Sequence, residues 1–175
     1  LYLLSVSKPN FWYVSALFFS FWGDVLLLFK NQFFIYGLAS FLLAHILYIK
    51  ITVSFIKKVN FQKILMACLP FVVFLFSFLF VIMDNLGEMK VPVIIYGIVI
   101  SSFGAVSFLN YIQEKNTASL WLFLGTIIFI ISDSLIALHK FYEPKQFYSI
   151  TIMLTYIVAQ YLICKAIIAI TSLQD

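Results

Sequence analysis

Two aspartates stand alone as charged residues within long apolar stretches. Asp24 lies in the stretch at residues 11–29, and Asp133 lies in the stretch at residues 118–138. Inserting a carboxyl group into the middle of a membrane helix costs ~2.5–3.5 kcal/mol even on lenient scales, so such groups face the protein interior and usually have a function there. Two carboxyls in one apolar pocket would not ionise alike, which would leave a proton donor beside a carboxylate. The structural alternative is a pair of interhelical hydrogen bonds.

Neutral polar side chains in the same stretches could complete a cavity around the aspartates. His45 lies roughly 18 Å along its helix from the end nearest Asp24, so direct contact between the two is not expected. Asn110 and Gln160 are buried amides, a type that commonly fastens helices together. The residues predicted to bind a substrate beside the aspartates are His45, Tyr48, Tyr96, Tyr156 and Gln160. For the tyrosines, simple packing is an equally good interpretation.

The sequence does not favour a metal site or a nucleic-acid interface. A zinc hydrolase centre needs about three protein ligands, and the chain has only two histidines, His45 and His139. All eleven basic residues are lysines scattered over short connections, and there is no arginine for bidentate recognition of phosphates or bases. We therefore expect neither a metal nor another cofactor, and no nucleic-acid partner.

The elements that position these residues must be membrane-spanning helices. The 175 residues are 64% hydrophobic and 10% charged, against about 25% charged residues in soluble domains. Apolar runs of about 18 residues or more can cross ~30 Å of hydrocarbon as helices, and these runs lack the alternation of barrel strands. The composition predicts an all-α, polytopic transmembrane helix bundle that forms a single domain over residues 1–175. Six spans are predicted, at residues 11–29, 33–49 with a continuation to 56 also considered, 64–83, 91–112, 118–138 and 147–170.

A weak internal repeat relates the first two spans to the last two. The segment around Asp24 resembles that around Asp133, and the segment around His45 resembles that around Gln160. The paired spans are separated by an even number of crossings, so the repeat is parallel, about an axis along the membrane normal. If the repeating unit has four helices, two helices precede Phe11. The bundle would then have eight helices, of which six lie in this sequence, in agreement with the first residue not being methionine.

The lysines of the connections indicate the orientation in the membrane. Lys8, Lys57, Lys58, Lys63 and Lys115 fall on one side, and Lys30, Lys90, Lys140 and Lys145 fall on the other. The positive-inside rule places the first side, with the C-terminus, in the cytoplasm by a small margin. The protein is therefore predicted to be a multi-pass protein of the plasma membrane, or of the inner membrane if its source is bacterial.

The ordered set of motifs resembles the YhhN-like lysoplasmalogenase family over about residues 21–163. The first motif begins with Gly23-Asp24 and includes His45 and Tyr48, and the later motifs include Pro92 and Tyr96. The remaining matched residues are Phe34, Gly37, Phe41, Gly125, Phe129, Ser132, Asp133, Ala137, Tyr156, Ala159 and Gln160. The resemblance implies an eight-helix membrane protein that hydrolyses the vinyl-ether bond of lysoplasmalogens to a fatty aldehyde and a glycerophospho head group. It also implies that Asp24 and Asp133 are the catalytic pair.

That chemistry agrees with the residues. Vinyl-ether hydrolysis begins with protonation of an alkene carbon, which a carboxylic acid can perform while a second carboxylate stabilises the cation. The expected partners are therefore a lysophospholipid substrate and the bilayer. Nothing in the sequence indicates an oligomeric state. Two other functions use the same aspartates: a small proton-coupled transporter or channel, and a non-catalytic lipid-binding membrane protein.

Overall fold

The fold is a bundle of long antiparallel helices. The computed structural model describes residues 2–6, 8–29 and 32–172, and in these ranges it contains α-helices and two short 3₁₀ turns but no strand. The α-helices are α1 (Tyr2–Ser5), α2 (Phe11–Leu28), α3 (Phe34–Ser54), α4 (Phe61–Ile82), α5 (Lys90–Glu114), α6 (Thr117–Phe141) and α7 (Gln146–Thr171).

Six of these helices, α2 to α7, are long and apolar enough to cross a membrane. The prediction of an all-α, multi-pass transmembrane bundle is therefore confirmed. The connections are short, as expected, and helices adjacent in the chain run in opposite directions. Lys30, one of the lysines used to predict the orientation, lies outside the described residues.

Local side-chain chemistry fixes where several helices begin. The Asn10 side chain accepts hydrogen bonds from the backbone N–H groups of Trp12 and Tyr13 at the start of α2. Asn116 forms a reciprocal capping box with Ser119 at the start of α6. These contacts satisfy backbone donors that have no partner within the first turn of a helix.

The end of α6 lies beyond its predicted limit. The predicted span ended at residue 138, whereas α6 continues to Phe141 with His139 and Lys140 in its last turn. Basic side chains there interact favourably with the carbonyl end of the helix dipole. Pro70 lies in the interior of α4.

The two halves of the predicted repeat pack in the same way. The pairs α2–α3 and α6–α7 make the two most extensive helix contacts of the bundle. A Cβ atom added to Gly37 of α3 would lie 3.4 Å from the Gly23 carbonyl oxygen of α2. At the corresponding crossing, the Ser132 hydroxyl of α6 donates to the Ile152 carbonyl of α7 over 3.1 Å. Gly23 and Ser132 each precede the aspartate of their helix, so the repeated sequence positions form equivalent contacts.

Candidate active site

Asp133 of α6 lies at a junction with α3 and α5. Its carboxylate accepts a hydrogen bond from the Tyr96 hydroxyl of α5. His45 of α3 lies on the same side, with its Nε2 atom 3.9 Å from the nearer carboxylate oxygen. Asp133 is 9% exposed and His45 is fully buried, so the three side chains form a polar group enclosed by apolar packing.

The tautomer of His45 follows from its contacts. Its Nδ1 atom lies 2.8 Å from the Phe41 carbonyl oxygen, and because a carbonyl can only accept, Nδ1 carries the hydrogen. In the neutral ring, Nε2 is then a bare acceptor that faces Asp133. This nitrogen has no hydrogen-bond partner among the described residues. The arrangement can orient a water molecule or accept a proton next to the carboxylate.

Asp24 of α2 has a different set of partners, which come from α7 and α3. The Tyr156 hydroxyl donates to the Asp24 carboxylate over 2.8 Å. The Gln160 amide donates to the Tyr156 hydroxyl over 3.3 Å, and its oxygen accepts from the Tyr48 hydroxyl over 2.9 Å. Asp24 is less buried than Asp133. Each aspartate therefore holds one tyrosine hydroxyl, supplied by another helix.

Two phenylalanine rings lie between these polar groups. Phe129 packs edge-on against His45 at a centroid distance of 4.7 Å and against Tyr156 at 5.5 Å. Phe41 packs edge-on against Tyr156 at 5.9 Å. Both rings belong to the sequence motifs noted above, but the spacing of those motifs along the chain does not predict that the rings lie between the two polar groups.

Two small cavities adjoin Asp133. Each has a volume of about 40 Å³, and both are lined by Tyr96 and Asp133, one on the side of α2 and α3 and the other on the side of α4. Their other walls are almost entirely apolar. Asp24 lines neither of them. Small-molecule pockets usually measure ~300–1,000 Å³, so a lysophospholipid can enter only if neighbouring side chains move.

All seven residues singled out from the sequence lie in these two polar groups, although their pairing was not foreseen. His45 was not expected to contact Asp24, and the structure places it against Asp133 instead.

The aspartates were expected at similar distances of roughly 8 Å from the helix ends. Asp24 lies about one turn, ~6 Å, before the end of α2, whereas Asp133 lies about two turns, ~12 Å, before the end of the longer α6. Within the described ranges, no three His, Cys, Asp or Glu side chains converge as metal ligands would.

Comparison with protein-family models identifies the family of the chain. A model of the YhhN family matches residues 1–167, almost the whole chain. This protein is a member of the YhhN family. The resemblance noted in the sequence is thus confirmed, and the residues that carried it in this YhhN chain include both aspartates and their tyrosine partners. Searches of curated proteins and of solved structures find no match to the chain.

Proposed function

We propose that this YhhN-family protein is a membrane-embedded lipid hydrolase that cleaves the vinyl-ether bond of lysoplasmalogens. The products are a fatty aldehyde and a glycerophospho head group. One observation carries the proposal: two intramembrane carboxyl groups each accept a hydrogen bond from a tyrosine of another helix, and Phe129 packs against both His45 and Tyr156 between them. Membership of the YhhN family supports the same activity.

The reaction needs one acid and one carboxylate. A protonated aspartate transfers its proton to the alkene carbon that is not bonded to oxygen, and the adjacent carbon becomes an oxocarbenium ion. The other aspartate stabilises this cation and takes a proton from the water molecule that attacks it. The resulting hemiacetal breaks its bond to the head-group oxygen: the second aspartate gives its proton to that oxygen, the first aspartate takes the proton of the hemiacetal hydroxyl, and the aldehyde forms. One water is consumed, and both aspartates regain their starting states.

The neutral partners have supporting roles in this scheme. Tyr96 and Tyr156 hold the carboxyl groups in fixed orientations, and His45 orients the attacking water near Asp133. The apolar walls of the cavities beside Asp133 suit the alkenyl chain. Asp133 and Asp24 can each serve as the acid.

The test is aldehyde release by the purified protein from a choline or ethanolamine lysoplasmalogen. The matched control substrate has the same head group and chain length but a saturated ether, which cannot form an oxocarbenium ion by protonation of a double bond. We expect aldehyde from the vinyl ether and no cleavage of the saturated ether. Cleavage of neither lipid, together with a proton-dependent flux in proteoliposomes, would instead favour the transporter function.

A further inference from the structure

The hydrogen bonds around Asp24 all run in one direction. The Gln160 amide oxygen, which can only accept, takes the hydrogen of the Tyr48 hydroxyl over 2.9 Å. The Gln160 amide nitrogen donates to the Tyr156 oxygen over 3.3 Å. With the amide in this orientation, the hydrogen of Tyr156 points at Asp24 over 2.8 Å. Three hydrogen bonds in series therefore end on the Asp24 carboxyl, and each of them donates toward it.

A series of donors of this kind favours the ionised form of Asp24. A carboxylate can only accept hydrogen bonds, and each bond in a chain polarises the next in the same direction. The Tyr156 hydroxyl could also donate to a protonated Asp24, but that bond would be weaker, because hydrogen bonds to charged groups are the stronger ones. The contacts of Asp24 therefore suit a carboxylate.

Asp133 faces an acceptor and not a second donor. His45 presents its bare Nε2 atom, because its Nδ1 atom donates to the Phe41 carbonyl oxygen. Nε2 is buried, has no hydrogen-bond partner among the described residues and lies 3.9 Å from an Asp133 carboxyl oxygen. Two acceptors that face each other repel, whereas a hydrogen on the carboxyl makes the same contact attractive. A proton on Asp133 also avoids burying an imidazolium and a carboxylate, which are both costly to desolvate.

This difference coincides with a substitution between the two halves of the internal repeat. His45 of α3 and Gln160 of α7 are at equivalent positions of the repeat, and each lies in the polar group of the other half's aspartate. The histidine offers an acceptor to Asp133, whereas the amide directs a donor at Asp24. Equivalent positions therefore have opposite effects on the two carboxyls.

From these contacts we infer that Asp133 is the acid and Asp24 is the carboxylate of the reaction, and that Gln160 and Tyr48 are positioning residues. This assignment rests on the proposed hydrolase function, which leaves the two roles open. Asp133 gives its proton to the alkene carbon, and Asp24 stabilises the cation and takes a proton from the attacking water. Gln160 and Tyr48, which the sequence suggested as substrate-binding residues, act in this assignment through Tyr156 and not on the substrate.

Infrared difference spectra test the two protonation states without any turnover. A protonated carboxyl has a C=O stretching band that a carboxylate lacks and that shifts in D₂O. For the full chain in a detergent without carbonyl groups, near neutral pH, we expect this band to be lost in Asp133→Asn and kept in Asp24→Asn. Loss of the band in Asp24→Asn alone would reverse the roles. A contribution from neither aspartate, as an imidazolium–carboxylate pair would give, or from both would overturn the assignment.

The spectra also separate this assignment from the proposed function. Because they do not depend on hydrolysis, a protonated Asp133 beside an ionised Asp24 upholds the two states even if no vinyl ether is cleaved. Cleavage together with the opposite pair of states would leave the hydrolase function standing and refute the assignment.

Gln160→Met tests the positioning role. It removes the donor to Tyr156 at similar size, so we expect roughly tenfold lower kcat with unchanged KM. We also expect a second protonated carboxyl band, which adding Asp24→Asn abolishes. Tyr48→Phe should cause a smaller change in the same direction, and Gln62→Met, at an exposed position of α4, should change neither kcat nor the spectrum.

Two results would refute the positioning role. If the folded Gln160→Met and Tyr48→Phe proteins differ from the wild type only in thermal stability, with normal kcat and spectra, the two residues merely pack the bundle. A raised KM with normal kcat would instead make them substrate-binding residues.

Discussion

Each aspartate of this protein accepts a hydrogen bond from the neutral hydroxyl group of a tyrosine. Tyr96 donates to Asp133 and Tyr156 donates to Asp24. A nearby Lys or Arg would hold a carboxylate in its charged form, whereas a tyrosine hydroxyl can hydrogen-bond to a carboxyl in either protonation state. The pair can therefore exchange a proton with a substrate without breaking a buried salt bridge.

Replacing either aspartate by asparagine should abolish most of the activity. Asn keeps the shape and much of the hydrogen bonding of Asp but removes both the acid and the negative charge. General acid–base catalysis contributes ~10²–10⁴-fold, so we expect Asp24→Asn and Asp133→Asn each to lower kcat by at least ~10². Aldehyde release is measured together with thermal unfolding, which should be nearly unchanged. A folded Asp24→Asn protein with normal activity would remove Asp24 from the mechanism.

Tyr96→Phe should reduce kcat while leaving KM close to its normal value. The substitution keeps the ring but removes the donor to Asp133, and a hydrogen bond to a charged group contributes ~1.5–3 kcal/mol. We expect kcat to fall by roughly ten- to a hundredfold in the lysoplasmalogen assay. Tyr36→Phe is the matched control, because Tyr36 is 61% exposed and lies outside both polar groups. A rise in KM with normal kcat would instead make Tyr96 a substrate-binding residue.

The close approach of neighbouring helices brings the residues of the two polar groups together. At the α2–α3 crossing, Gly23 leaves room for the ring of Phe41, which in turn packs against Tyr156 beside Asp24. A Cβ atom at Gly23 would lie only 2.6 Å from two carbons of that ring. Helix packing and the geometry of the site are therefore linked through a single side chain.

Gly23→Ala should destabilise the protein and disturb the site at the same time. The Phe41 ring would have to move against Phe129 and Tyr156, and overpacking of this kind costs ~1–3 kcal/mol. We expect a lower midpoint of thermal unfolding and reduced aldehyde release. Gly97→Ala is the control, since its added Cβ meets only the flexible end of the Leu75 side chain. Equal stability of the two variants would contradict this prediction and show that α2 and α3 can move apart at the crossing without loss of stability.

The whole molecule has its proposed active site toward one end of the bundle. The aspartates and their tyrosines lie nearer the C-terminal ends of α2 and α6, whereas the lysines that follow α3 and α5 lie at the opposite end. The orientation in the membrane thus decides which leaflet and which compartment the active site meets.

The connections α3–α4 and α5–α6 should face the cytoplasm. Single cysteines are introduced in a chain with Cys68→Ser and Cys164→Ser, at Lys58 and Lys115 for one side and at Glu88 and Glu143 for the other. All four positions are exposed. With intact cells and an impermeant thiol reagent, we expect labelling at positions 88 and 143 only, and labelling at 58 and 115 after permeabilisation. Labelling of positions 115 and 143 from the same side would contradict the crossing of α6.

The sequence alone determined the six spans and the two key carboxyls. A run of about 20 apolar residues has few alternatives to a membrane helix, and a lone aspartate within it must face the protein interior, so Asp24 and Asp133 could be selected without a structure. The contacts of these residues could not be predicted in this way. Tyr156 meets Asp24 although 132 residues separate them, and His45 meets Asp133 and not Asp24. Such pairings depend on the tilt and rotation of whole helices, which small residues at the crossings set and local spacing does not encode. Asn110 was interpreted from its residue type as an amide that links two helices. In the structure it has no hydrogen-bond partner among the described residues and lines a cavity. The surroundings of a buried amide depend on how the helices pack.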